Sequence, residues 1–166
     1  MKKIFIGIDP GISGGIGAVD EDGKLVSAHL LPVFTSSKGG KELNIGEVCS
    51  IVTGYMELGS CFAAIERVHA MPKQGVRSVW SFAFSTGQLE GILSSFRVPY
   101  IRVPPKRWQK EYHRFANGAD TKQKSVIAAS RMFPELELPR KKDHNKAEAV
   151  LLADFCRKHH NSTMED

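Results

Sequence analysis

Three acidic elements stand where apolar runs stop. Asp9 closes "IFIGID" and leads straight into "PGISGG", Glu66 closes "CFAAIE", and Asp143 and Glu148 sit in "KKDHNKAEAVLLA" at a helix entry, beside His144 and Asn145. Asp9 alone fits an Asx-type turn, and Asp143 or Asn145 fits a helix cap. Glu66 is harder to explain structurally, because an acid ending a fully apolar strand is costly to bury without a partner or a cation. Separated carboxylates in a basic chain suit a hard divalent cation such as Mg²⁺, which prefers oxygen ligands and keeps several waters. Phosphodiester cleavage fits that inventory, with two ions about 4 Å apart activating water and stabilising the leaving oxygen. Gly11, Gly14 and Gly15 let the chain turn tightly and leave room for a metal or a phosphate beside Asp9.

Positioning those acids requires a sheet whose strand ends converge. Residues 3–9, 15–20 and 24–31 read as three short strands separated by "PGISG" and "EDG", an antiparallel meander. A Gly/Lys/Ser-rich loop, "TSSKGGKE", leads to a helix over 44–58 with Gly59 as its stop. Residues 61–66 read as a central strand covered on both faces, followed by a helix over 77–96 and a strand over 98–103. Helices at 104–113, opened by proline, then 120–133 and 144–159, complete the chain. The order predicts an α/β fold: a central mixed five-stranded sheet, three antiparallel strands and then parallel strands, flanked by helices. Functional groups in such sheets collect at strand ends, and Asp9 and Glu66 meet there if their strands are neighbours.

The chain has 166 residues, 42% hydrophobic and 25% charged, consistent with one domain over 1–160 and a polar tail at 161–166. No run is long and apolar enough for a bilayer, and the amino terminus turns polar too soon for a signal peptide, so a cytoplasmic protein is expected. Cys49, Cys61 and Cys156 are odd in number and widely spaced, which suits reduced core thiols rather than disulfides or zinc. Residues 97–159 hold 15 Lys/Arg and 7 Asp/Glu, so the net charge of +5 comes from the carboxyl-terminal half. Such asymmetry suits a polyanion, although a solvated cationic surface gives the same count.

The stretches "GIDPGISGGIGAV", "AAIERVHAMPKQGVRSVWSFAFSTGQLEGIL" and "KKDHNKAEAVLLA" together resemble the RuvC-type Holliday junction resolvases, in family order, over about residues 3–157. The wording is closest to the phage and chloroplast-type branch. The resemblance implies an RNase H-like fold, a homodimer, and cleavage of two opposed strands of a four-way DNA junction with Mg²⁺ or Mn²⁺, two ions per site. It implies a bacterial or phage-infected cell, or an organelle matrix for a processed chain. Carried over, Asp9 and Glu66 match metal-binding catalytic acids. In the last motif bacterial members resemble DxxD, whereas this chain has Asn145 and Glu148 at that spacing; the branch motif points instead to Asp143 with Glu148. Residues five apart do not share a helix face, so Asp143 joins Glu148 only from before the first turn. His144 and Asn145 are further candidates.

The loop "RVHAMPKQG" follows Glu66 directly. His69 matches a position where family members place a wedging aromatic, with Met71, Lys73 and Gln74 completing the wedge. Lys106, Arg107 and Lys110, with Lys122 and Lys124, resemble the family's phosphate-binding segments and are better explained together as a backbone track. Trp80, Phe82 and Phe84 fit a helix core, but the equivalent family helix packs against its two-fold mate, and a two-fold junction needs two active sites. Trp108 is expected to pack its helix. The alternatives are another RNase H-like nuclease, such as one that processes ribosomal RNA, and a non-catalytic DNA-binding module. A sugar-kinase or actin-like ATPase needs a second domain and far more chain.

Overall fold

Period-two alternation in the first strand assigns its side chains to two cores. In β1 (Lys3–Asp9), Ile4, Ile6 and Ile8 enter one core and Phe5 the other, so Gly7 and Asp9 face the side of Phe5. The computed structural model describes residues 2–37, 39–67, 69, 74–116 and 120–161. β2 (Gly15–Asp20) and β3 (Leu25–Leu30) follow antiparallel. A separate hairpin comes next, β4 (Val33–Thr35) with β5 (Lys41–Leu43), where a plain loop was expected. Gly39 at φ 79° and a Ser36 amide donating to the Gly40 carbonyl close its turn. Its strands are short and mostly exposed, so they leave no alternating pattern to read.

Helix α1 (Ile45–Leu58) begins where the sequence predicts, because Asn44 accepts from the Glu47 amide and donates back to its carboxylate. β6 (Ser60–Glu66) then runs parallel to β1, and α2 (Val76–Ser95) returns the chain to β7 (Tyr100–Val103), parallel to β6. The sheet order is β3-β2-β1-β6-β7, the expected five-stranded mixed sheet. α3 (Pro105–Tyr112) continues into a 3₁₀ turn, His113–Phe115. After α4 (Thr121–Met132), capped by Asp120, a second 3₁₀ turn, Lys141–Asp143, opens α5 (His144–His159).

α1 and α2 cover the face carrying Ile4, Ile6 and Ile8, while α3, α4 and α5 cover the face of Phe5. α5 is the central helix, buried from Ala149 to Cys156, and it lies unusually close to the sheet. A Cβ at Gly7 would stand 2.0 Å from the Ala149 carbonyl oxygen, and one at Gly15 2.3 Å from that of Asn145. Glycine there is a docking requirement, since any side chain would lift α5 off the strands. Cys61 and Cys156 are buried and Cys49 half-buried, all three as free thiols. Among the described residues no helix is long and apolar enough to cross a membrane.

Candidate active site

The register pairs Ile8 with Ile65, so Asp9 and Glu66 come next in parallel neighbouring strands. Glu66 shares the parity of Ala64, which lies in the same core as Phe5, so both acids project on the α5 side. The close docking of α5 adds Glu148 from its first turns. The three carboxylates act on one another electrostatically. Burial, then Glu148 and Glu66, push Asp9 well above the usual carboxylate range, against only a partial offset from Lys122. Burial and Glu148 raise Glu66 to about 7, despite a hydrogen bond from Trp108. Glu148 is raised by burial and partly relieved by Ser125 and Lys122.

An open cleft of about 620 Å³ exposes Asp9 and Glu148 together with Lys122, Arg77, His144 and Asn145. A second cleft, about 870 Å³, runs between the end of β6 and α2 and exposes Glu66, His69 and Gln74. Phe82 lines both clefts. Among the described residues no three His, Cys, Asp or Glu side chains converge at ligand distance from one point. The donor set nevertheless fits a hard divalent cation: three oxygen-only groups, each held above its ordinary pKa, with Lys122 the cation acting on Asp9 and Glu148.

Asp143 is placed differently from the expectation that paired it with Glu148. It lies before α5, fully buried, and accepts the Arg140 backbone amide at 2.9 Å and the Arg140 guanidinium at 2.9 and 3.2 Å. Lys146 stands 3.7 Å away. Burial would raise its pKa, but the bonds from Arg140 leave it lowered, a carboxylate already neutralised. The position i−3 from Glu148 is Asn145, whose side-chain amide donates to the Ser13 carbonyl and ties the β1–β2 turn to α5. The clearance expected at the glycines is taken up by protein. Gly15 abuts Asn145, a Cβ at Gly14 would meet the Asp9 carbonyl, and Gly11 faces the Phe82 ring. His144 Nδ1 donates to the Lys141 carbonyl at 2.7 Å, and the residue lines the cleft.

Of the basic candidates, Lys122 lies in the cleft with the acids. Lys124 is half-buried and acts on His113. Lys106, Arg107 and Lys110 are exposed on α3, and the Arg107 guanidinium lies 5.8 Å over the Phe155 ring, toward the far half of α5. Met71 and Lys73 lie outside the described residues. Trp80 and Phe84 are not core: they are 70% and 54% exposed and stack with centroids 6.4 Å apart, in line with exposed Val76 on α2. Two further groups at the site carry no motif. Trp108 is fully buried, as expected of a packing residue, but its indole also donates to Glu66 at 2.9 Å. Ser125 donates to Glu148 at 3.2 Å. A buried Trp and a buried Ser on otherwise basic helices were the only hints of these.

No protein-family model and no curated protein matches the sequence. Among solved structures, the chain is similar to Thermus thermophilus RuvC in complex with a Holliday junction substrate. The TM-score is 0.64 at 16% identity, covering 98% of this chain and 97% of that one. A second structure of Thermus thermophilus RuvC matches with a TM-score of 0.60 at 19% identity, over 98% and 96%. The chain has the RNase H-like fold found in RuvC.

Proposed function

We propose that this protein is a structure-selective endodeoxyribonuclease that resolves four-way DNA junctions by paired, metal-dependent cleavage of two opposed strands. The observation that carries the reading is the trio Asp9, Glu66 and Glu148 at the strand ends of a RuvC-like fold, all three raised by burial, with Glu148 and Glu66 raising Asp9 further and Glu148 raising Glu66. Their uncompensated charge calls for a cation, and these three residues would hold Mg²⁺ or Mn²⁺, with Asn145 beside them. Bound there, the ion would supply an activated water and stabilise the leaving oxygen. Lys122 offers its ammonium to a phosphate oxygen in the same cleft. His69 and Gln74 face the adjoining cleft, from where they reach the unpaired centre of a junction. Lys106, Lys110 and Lys124 extend a backbone track along the α3–α4 arm.

Asp143 in this reading anchors the entry of α5 rather than binding metal. The exposed Val76, Trp80 and Phe84 stripe supports a homodimer through α2, which would give two sites related by the two-fold axis of the substrate. The motif "DHNKAEA" favours the phage and chloroplast-type branch. The test is incubation with a labelled four-way junction, a plain duplex and a structured RNA, each with Mg²⁺ or EDTA. Paired nicks in the junction alone, abolished by EDTA, are expected. Cleavage of the RNA instead defeats the junction assignment, and junction binding without nicks at any metal concentration leaves only a binding module.

A further inference from the structure

Glu66 ends β6 and Glu148 lies on α5, yet both accept hydrogen bonds from the α3–α4 arm. The Trp108 indole, fully buried on α3, donates to Glu66 Oε1 at 2.9 Å. On α4, Ser125 is also fully buried, and its hydroxyl reaches Glu148 Oε1 at 3.2 Å. Between them stands His113, in the 3₁₀ turn that ends α3. Its ring meets the Trp108 ring edge-on with centroids 5.5 Å apart, and its Nε2 lies 3.0 Å from Ser125 Oγ. An unbroken run of contacts thus joins Glu66 to Glu148 through Trp108, His113 and Ser125, behind the cleft.

The proton inventory gives this run a direction. Ser125 has one hydroxyl proton and two acceptors in reach, Glu148 and the Thr121 carbonyl, the latter at 3.2 Å. If His113 accepted that proton, neither would receive it. With Nε2 protonated, His113 donates to Ser125 and leaves the hydroxyl free for the carboxylate, the stronger acceptor. Trp108 has no such choice, because an indole N–H only donates. We propose that Trp108, His113 and Ser125 are positioning residues that aim the Glu66 and Glu148 carboxylates for cation binding. This rests on the metal-nuclease reading above. The donors stand on α3 and α4, the helices that also present Lys106, Lys110, Lys122 and Lys124, so the same two helices serve both the acids and the phosphate track.

The test compares the parent with Trp108→Phe, which keeps a large aromatic ring and removes the N–H, and with Ser125→Ala, Ser125→Thr and His113→Ala. Mn²⁺ affinity is measured by calorimetry without DNA, thermal midpoints by circular dichroism, and junction cleavage as kcat and KM. Trp108→Phe and Ser125→Ala are expected to weaken Mn²⁺ binding about ten-fold, as loss of an outer hydrogen bond to a metal ligand does. KM for the junction should stay unchanged, and Ser125→Thr should restore affinity. His113→Ala in the Ser125→Ala background should add nothing further.

A metal-free readout exists because the chain has two tryptophans, Trp80 exposed and Trp108 buried. The protected indole N–H resonance should shift with Glu66→Gln and stay in place with Asp154→Asn. Unchanged Mn²⁺ affinity in Trp108→Phe and Ser125→Ala, with a parent that binds Mn²⁺ and cuts junctions, overturns the positioning role alone. So does an affinity loss that only tracks the thermal midpoint. A parent that shows the indole coupling but neither binds Mn²⁺ nor cuts overturns the nuclease reading, and the role proposed here with it.

Discussion

The two halves of α5 treat their acids in opposite ways. Near its start, Glu148 joins Asp9 and Glu66: burial lifts all three above their ordinary pKa, and the neighbouring acids add to the rise of Asp9 and Glu66. Near its end, Asp154 is just as enclosed but accepts from the Tyr112 hydroxyl at 2.9 Å and from Arg157 at 2.8 and 2.9 Å, with Lys158 at 2.8 Å. Burial alone would raise it, yet these partners leave its pKa lowered. Glu111, on α3, is lowered in the same way by His159 and Lys158. One helix therefore carries a finished ion network at one end and an unbalanced carboxylate group at the other. An unbalanced group costs stability and persists where something else binds it, and on the proposed function the contrast is between a structural acid and a metal-binding one.

The largest effect tests the unbalanced end directly. Asp9→Asn should cut junctions at least about a thousand-fold more slowly while folding as well as or better than the parent, read by gel assay and thermal melting. A variant as fast as the parent removes Asp9 from the chemistry. At the balanced end the signs invert. Asp154→Ala leaves Tyr112, Arg157 and Lys158 without their shared acceptor and should cost roughly 3 kcal/mol, a fall of roughly 10 °C in melting midpoint. The specific activity of the folded fraction should stay near parental, and a rate loss beyond ten-fold would erase the distinction between the two ends.

Acid–base linkage sharpens the same contrast. Glu66 titrates at about 7 in the folded protein against 4.5 as its ordinary value, so within that window folding takes up a proton. Stability of the metal-free chain should therefore fall as pH rises from about 4.5 to 7, by roughly 3 kcal/mol from this group. Glu66→Gln should flatten that segment, and Mg²⁺ should restore stability above pH 7; an unchanged slope in Glu66→Gln counts against the assignment. Asp154 contributes with the opposite sign, its stabilisation being present above its ordinary pKa and lost on acidification. The smallest effect belongs to Asp143, which sorts with the balanced acids. Asp143→Asn should cost about 1–2 kcal/mol and slow cleavage less than ten-fold. A thousand-fold rate loss at unchanged stability would return Asp143 to the metal site.

Strand parity makes Asp9 and Glu66 legible in the sequence alone, because each ends an apolar run and a strand end cannot hide its side chain for long. The proline-opened start of α3 is equally plain, and the expected helices over 44–58 and 120–133 correspond to α1 and α4. The β4–β5 hairpin is not plain, since its exposed strands follow no buried pattern. Asp143 has a partner that the motif does not show. Motif spacing ranks acids by distance along the chain, whereas Arg140, three residues away, captures the carboxylate through its backbone amide and guanidinium together. Of the glycines of "PGISGG", Gly15 provides clearance for the α5 backbone, whereas Gly14 abuts the Asp9 carbonyl and Gly11 the Phe82 ring.

By itself the sequence determined the sheet, its helices and the two strand-end acids, because these depend on periodicity and on capping, which act over a few residues. Tertiary structure alone decided which acids remain unbalanced, and that Trp108 and Ser125 donate hydrogen bonds to two of them. Charge compensation depends on distance in space, and the partners of Glu66 and Glu148 lie 42 and 23 residues away along the chain.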